Sequence, residues 1–116
     1  MKAERRSIDY LKDMVEAIDK IFSYTKEMDF EDFENNIMVV DAVIRNFEII
    51  GEAAKRVDEN IKEKYPEVPW KQMNIFRNIA SHEYFGVDIN TTWHIITDHL
   101  PGNKKDLLKI LNCELS

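Results

Sequence analysis

The sequence predicts an all-α fold, an up-and-down bundle of four main helices with one short extra helical turn. Two observations predict it. Apolar residues recur at spacings of three and four through long stretches, which is the period of one helix face. The chain also carries only three Gly and three Pro in 116 residues, and Pro66 and Pro69 sit together, so long segments run free of breakers. A content of 44% apolar and 33% charged residues points to a packed core rather than disorder, and at this length one domain spanning residues 1–116 is expected.

The first stripe runs from Ser7 to Thr25 through Ile8, Leu11, Val15, Ile18 and Phe22, widened by Met14 and Ile21. The polar run KEMDFEDFEN breaks it. A second stripe begins at Phe33 and continues through Ile37, Val40, Ile44, Phe47, Gly51 and Ala54, and with Val43, Ile50 and Val57 beside it the apolar face is broader than one neighbour would cover. This helix is expected to be central. Gly51 in its middle costs about 1 kcal/mol relative to Ala, so its presence predicts a close helix approach. Asp58 is placed to cap a short turn through Lys64, which Pro66 ends. Pro69 suits the first position of a third helix with Trp70, Met73, Phe76, Ile79 and Ala80 as its buried face, closed by Gly86 after Tyr84. Asn90 is a fair N-cap for a fourth helix carrying Trp93, Ile96 and Leu100. Pro101 and Gly102 are expected to interrupt it before a last stripe of Leu107, Leu108 and Leu111. These stripes exceed what one thin bundle can cover, which predicts a dimer.

Composition narrows the function. With 16 Lys and Arg against 22 Asp and Glu, the net charge of -6 argues against a broad basic surface that holds nucleic acid by releasing counterions. It leaves room for a local cationic pocket that touches a phosphate or two. The start, MKAERRSIDY, lacks the apolar run of a signal peptide, and no stretch approaches the roughly 20 apolar residues of a membrane span, so a cytoplasmic protein is expected. Cys113 is the lone cysteine, which leaves no intrachain disulfide and no thiolate metal cluster. No Gly-rich phosphate loop, paired-carboxylate motif or nucleophile elbow is present, and no cofactor is expected. His94, Asp98 and His99 lie together on the fourth helix, but no third ligand is spaced to make a metal site. Both histidines are read as structural or solvated.

The segment RNIASHEYF carries the groups suited to anion binding and proton transfer. Arg77 offers a permanently charged fork that matches phosphate oxygens, and His82 is the side-chain type that exchanges a proton near neutrality. Together they suit phosphodiester cleavage. Five residues at about 100° each put them about 140° apart on a regular helix, so the helix must bend or end near His82, or a second chain must complete the site. A symmetric dimer would place two Arg and two His around one cleft. Each residue also has a bland reading: Asn78 and Ser81 as caps or surface groups, Tyr84 as a packing aromatic.

The stretches IDYLKDMVEAIDKI, IIGEAAKR, Pro69–Trp70 and RNIASHEYFGVD, with a later Trp and LP, resemble the HepT-like proteins of the HEPN superfamily. The resemblance runs over nearly the whole chain. It implies a helical bundle that dimerises to build a composite, metal-independent ribonuclease site. It further implies the toxin of a toxin–antitoxin pair, partnered by a minimal nucleotidyltransferase of the MntA type that attaches AMP to the motif tyrosine. Carried over to this sequence, Arg77 and His82 are catalytic, Asn78 is a supporting polar residue and Tyr84 is the AMPylation site. RNA is the implied substrate. A non-catalytic dimer that binds a nucleotide or the nucleotidyltransferase stays open beside this, as does a plain scaffold. Gly102 and Asn103 after the LP depart from a continuous helix and predict looser packing of the last dozen residues.

Overall fold

The computed structural model describes the backbone of residues 2–81 and 89–115 and the side chains of residues 6–76 and 89–115. Within these the chain is all-helical. The helices are α1 (Lys2–Thr25), α2 (Phe30–Glu34), α3 (Ile37–Arg56), α4 (Glu59–Lys64), α5 (Trp70–Ser81), α6 (Ile89–His94) and α7 (Leu100–Leu115), with a π-helical turn at Ile95–His99 joining the last two. No helix among the described residues is long and apolar enough to cross a membrane.

The broad face of α3 has the consequence the pattern implied. α3 packs against α1 on one side and α5 on another, while α1 also packs against α7. Leu11, Met14, Ile18 and Ile21 of α1 meet Val43, Phe47 and Ile50 of α3, Met73 and Phe76 of α5, and Leu100, Leu107 and Ile110 of α7 in one core. Removing such a side chain from water stabilises by about 1.5–3 kcal/mol, so these few helices hold most of the fold. Gly51 is buried in the middle of α3.

Four expectations need correction. The stripe from Phe33 to Ala54 belongs to two helices, because two sets of caps divide it. Asp29 and Asp32 form a reciprocal capping box at the start of α2. Asn36 then opens α3, its Oδ1 accepting from the Val39 N–H at 3.1 Å. Phe33 is buried and packs on Trp93 at 5.1 Å between ring centroids, whereas Ile37 is 74% exposed. Second, Asp58 sits at the N-cap of α4 but its side chain makes no capping bond. Its N–H instead donates to the Oγ of buried Ser7 at 2.9 Å, which ties α1 to the α3–α4 corner.

Third, Pro101 and Gly102 do not interrupt the last helix. They lie in the first turn of α7. The π turn just before them shifts the hydrogen bonding by one residue, so that the Leu100 N–H donates to the Ile95 carbonyl. This wider turn leaves the proline, which lacks an N–H, at a position where a helix tolerates it. Fourth, the C-terminal residues are packed rather than loose. Leu107, Ile110 and Leu111 are buried. Lys104 Nζ reaches Asp19 Oδ1 at 2.6 Å, and Glu114 Oε2 accepts from Lys64 Nζ at 2.8 Å and from the Tyr65 hydroxyl at 2.6 Å. Leu108 faces outward, 44% exposed. Pro69 stands one residue ahead of α5, its carbonyl accepting from the Met73 N–H at 3.1 Å.

Candidate functional site

Helix α5 carries Arg77 and Asn78 in its last turns, and its start is firmly held. The Trp70 N–H donates to the Val68 carbonyl at 2.8 Å, and Trp70 Nε1 donates to the Tyr65 carbonyl at 3.1 Å. One residue before Arg77, Phe76 is buried and stacks on Phe47 of α3, with centroids 5.0 Å apart and planes 23° apart. That pair fixes the register of α5 on α3 one residue before Arg77. The side chains of Arg77 and Asn78, and His82 and Tyr84 entirely, lie outside the described residues.

Sequence reading overlooked the buried amide of Asn46, next to Phe47. Its Nδ2 donates to the Ala42 carbonyl at 2.9 Å, and its Oδ1 has no partner among the described residues. Buried polar groups are normally satisfied, so an orphan acceptor beside the α3–α5 contact is a feature to explain. An asparagine inside an apolar stripe was the signal available for it.

Electrostatics elsewhere are mostly matched. A groove of about 280 Å³ between α1 and α3 is flanked by Arg45 and Arg56, but Glu48 and Glu52 pair with them at 3.3 and 3.8 Å. A larger groove of about 680 Å³ beside α2 has Glu27, Glu31 and Asp32 on its walls against Lys26, a poor surface for a polyanion. At the C-terminus, Lys64 and then Tyr65 hold the Glu114 carboxyl below the usual carboxylate range by hydrogen bonding, while the same carboxylate and burial push the Tyr65 hydroxyl up. Where α6 meets the π turn, His94 Nδ1 lies 2.7 Å from Asp98 Oδ2, and the His99 ring stands edge-on to His94 at 5.4 Å. Among the described residues, no group of three or more His, Cys, Asp or Glu is placed to hold a metal ion.

A family model described as ribonuclease HepT-like matches residues 14–110, from the middle of α1 to most of α7. The chain belongs to the HepT-like family. Its relatives include a candidate RNase of Methanocaldococcus jannaschii, 42% identical over 84% of this chain and 90% of that protein. Another, from Thermococcus cleftensis, bears the name probable ribonuclease HepT and is 40% identical over 92% of this chain and 97% of its own length. A candidate RNase of Caldanaerobacter subterraneus is 34% identical over 90% and 94%. No solved structure matches this HepT-like chain.

Proposed function

We propose that this HepT-like chain is a ribonuclease, an RNA endonuclease that needs no metal ion and works from a composite site shared by two copies of a HEPN-like four-helix bundle. The family match carries the reading, because it takes in Arg77–Tyr84 and its relatives are named for RNase activity. Arg77 and His82 are the catalytic pair. His82 takes the proton of a ribose 2'-hydroxyl as that oxygen attacks phosphorus, and the imidazolium so formed, or its counterpart in the second chain, returns a proton to the leaving 5'-oxygen. Arg77 opposes the charge that develops on the phosphorane-like transition state. Asn78 supports as a neighbouring polar group. The products are a 2',3'-cyclic phosphate and a 5'-hydroxyl.

The second copy answers the geometry, since residues five apart on one helix diverge by about 140°. Apolar surface left uncovered, with Ile37 at 74%, Met38 at 79% and Ile75 at 49% exposure, supports such an assembly. Tyr84 is seven residues beyond Arg77, within about 20° of it on a regular helix. AMP attached there by an MntA-type nucleotidyltransferase would bring a bulky negative phosphate to the arginine and exclude the RNA backbone. The chain is then the toxin of a toxin–antitoxin pair and the nucleotidyltransferase its antitoxin.

The net charge of -6 favours one competing reading, a dimer that binds nucleotide or the nucleotidyltransferase without cutting RNA. Light scattering and an RNA digest of AMP-free chain in EDTA separate them. The ribonuclease reading expects twice the monomer mass and cyclic-phosphate ends. A monomer removes the composite site, and intact RNA across many substrates favours the binding module.

A further inference from the structure

His94 and His99 are five residues apart, and on an α-helix that spacing would point them about 140° away from each other. The π turn cancels this divergence. Its i→i+5 hydrogen bonding, seen in the Leu100 N–H to the Ile95 carbonyl, brings the residue five ahead back over the same face. The two imidazoles accordingly stand 5.4 Å apart, centre to centre, with planes at 78°. Asp98 completes the group, its Oδ2 lying 2.7 Å from His94 Nδ1.

We propose that His94 and His99 bind a divalent transition-metal ion, Zn²⁺ or a close relative, with Asp98 orienting His94. Three observations converge on this. First, Zn–N bonds of about 2.0–2.1 Å at a tetrahedral angle set the centres of two coordinating imidazoles about 5 Å apart, the separation already present. Second, a carboxylate on Nδ1 fixes the tautomer that leaves Nε2 with its lone pair, the usual support of a metal-binding histidine. Third, His94 and Asp98 have side chains 62% and 54% exposed, so an ion reaches them without disturbing the core, and small rotamer changes aim both rings at it. With no third protein ligand among the described residues, the site is open, and water or an outside ligand fills the remaining positions. Imidazole donors select Zn²⁺, Ni²⁺ or Cu²⁺ over Mg²⁺. The site uses neither Arg77 nor His82, so it stands or falls apart from RNA cleavage.

The test is calorimetric titration of the tag-free, EDTA-washed full chain with ZnCl₂. Saturable binding at one ion per chain is expected, weakened about tenfold or more in His94→Ala and in His99→Ala, and about tenfold in Asp98→Ala. Cys113→Ser should bind as the parent does, and MgCl₂ should give no binding heat. Unchanged affinity in either histidine variant, or loss in Cys113→Ser, overturns the assignment. Amide NMR of the unaltered chain with Ni²⁺ provides a readout that needs no variant. Paramagnetic broadening centred on residues 93–99 supports the site, and broadening centred elsewhere refutes it.

Discussion

Replacing Phe76 with alanine tests how the helix that carries Arg77 is held. The ring is 1% exposed and stacks on Phe47 at 5.0 Å, so truncation removes both buried apolar area and an aromatic partner. A buried Phe→Ala change costs about 3–5 kcal/mol, of which an aromatic pair supplies about 0.5–1.5 kcal/mol beyond its area. Domains of this size have roughly 5–15 kcal/mol in all, so the variant should fold with much of its margin gone. Urea unfolding followed by circular dichroism should show a midpoint lower by about 1–5 M at unchanged slope, taking a slope of about 1–3 kcal/mol/M. A double-mutant cycle of Phe47→Leu and Phe76→Leu isolates the pair and should return a coupling of about 0.5–1.5 kcal/mol. A cost under about 1 kcal/mol for Phe76→Ala, or a cycle that closes to zero, would refute the view that this stack sets the register of α5 on α3.

Other outcomes follow from particular contacts. Gly102→Ala should stabilise by about 0.4–1 kcal/mol in the same unfolding assay, because Gly102 is exposed within α7 and a Cβ there would meet nothing within 4 Å; destabilisation would contradict the helical placement. The Tyr65–Glu114–Lys64 contact makes stability pH-dependent at both extremes. Glu114 is held below its ordinary value of 4.5, so its contribution is present above that pH and drains as pH falls through the lowered folded value. Tyr65 is raised above its ordinary 10.0, so its contribution is full below that pH and drains as pH rises beyond it. Tyr65→Phe should remove the alkaline loss at a cost of about 1 kcal/mol near neutrality, and an unchanged alkaline profile would exclude the contact as its cause. Tyr84→Phe should keep most RNA cleavage yet escape silencing on co-expression with an MntA-type nucleotidyltransferase, the partner proposed above. Mass spectrometry that finds AMP only on other residues would take Tyr84 out of the mechanism.

The parts of this fold legible in the sequence are those set by local period. The stripes of α1 and α3, and Trp70, Met73 and Phe76 of the α5 stripe, bury as a 3.6-residue spacing requires, while the side chains of Ile79 and Ala80 lie outside the described residues; the breadth of the α3 face foretold its place between two neighbours. Legibility failed where two helices happened to continue one stripe. Phe33 and Ile37 are four apart, so the period ran on, and only the capping chemistry of Asp29, Asp32 and Asn36 marked the break. Pro101 misled for a different reason, because a π turn at Ile95–His99 carries the chain into α7 with the proline in its first turn. The sequence already grouped His94, Asp98 and His99 on the fourth helix, but an α-helical wheel sets the two histidines on different sides, so their close ring contact was not legible. Of the candidate site, residue chemistry pointed to Arg77 and His82, but only the family resemblance supplied their roles and that of Tyr84. The described structure adds how the helix bearing Arg77 is anchored.

The measurement closest to the central claim is RNA cleavage in EDTA by the AMP-free chain and by its Arg77→Ala and His82→Ala variants. The parent should cut and leave 2',3'-cyclic phosphate ends. Each variant should lose about a hundredfold or more in rate while its helicity and mass by light scattering stay those of the parent. Cleavage that persists at parental rates in either variant, or an AMP-free parent that cuts no RNA, would contradict the account.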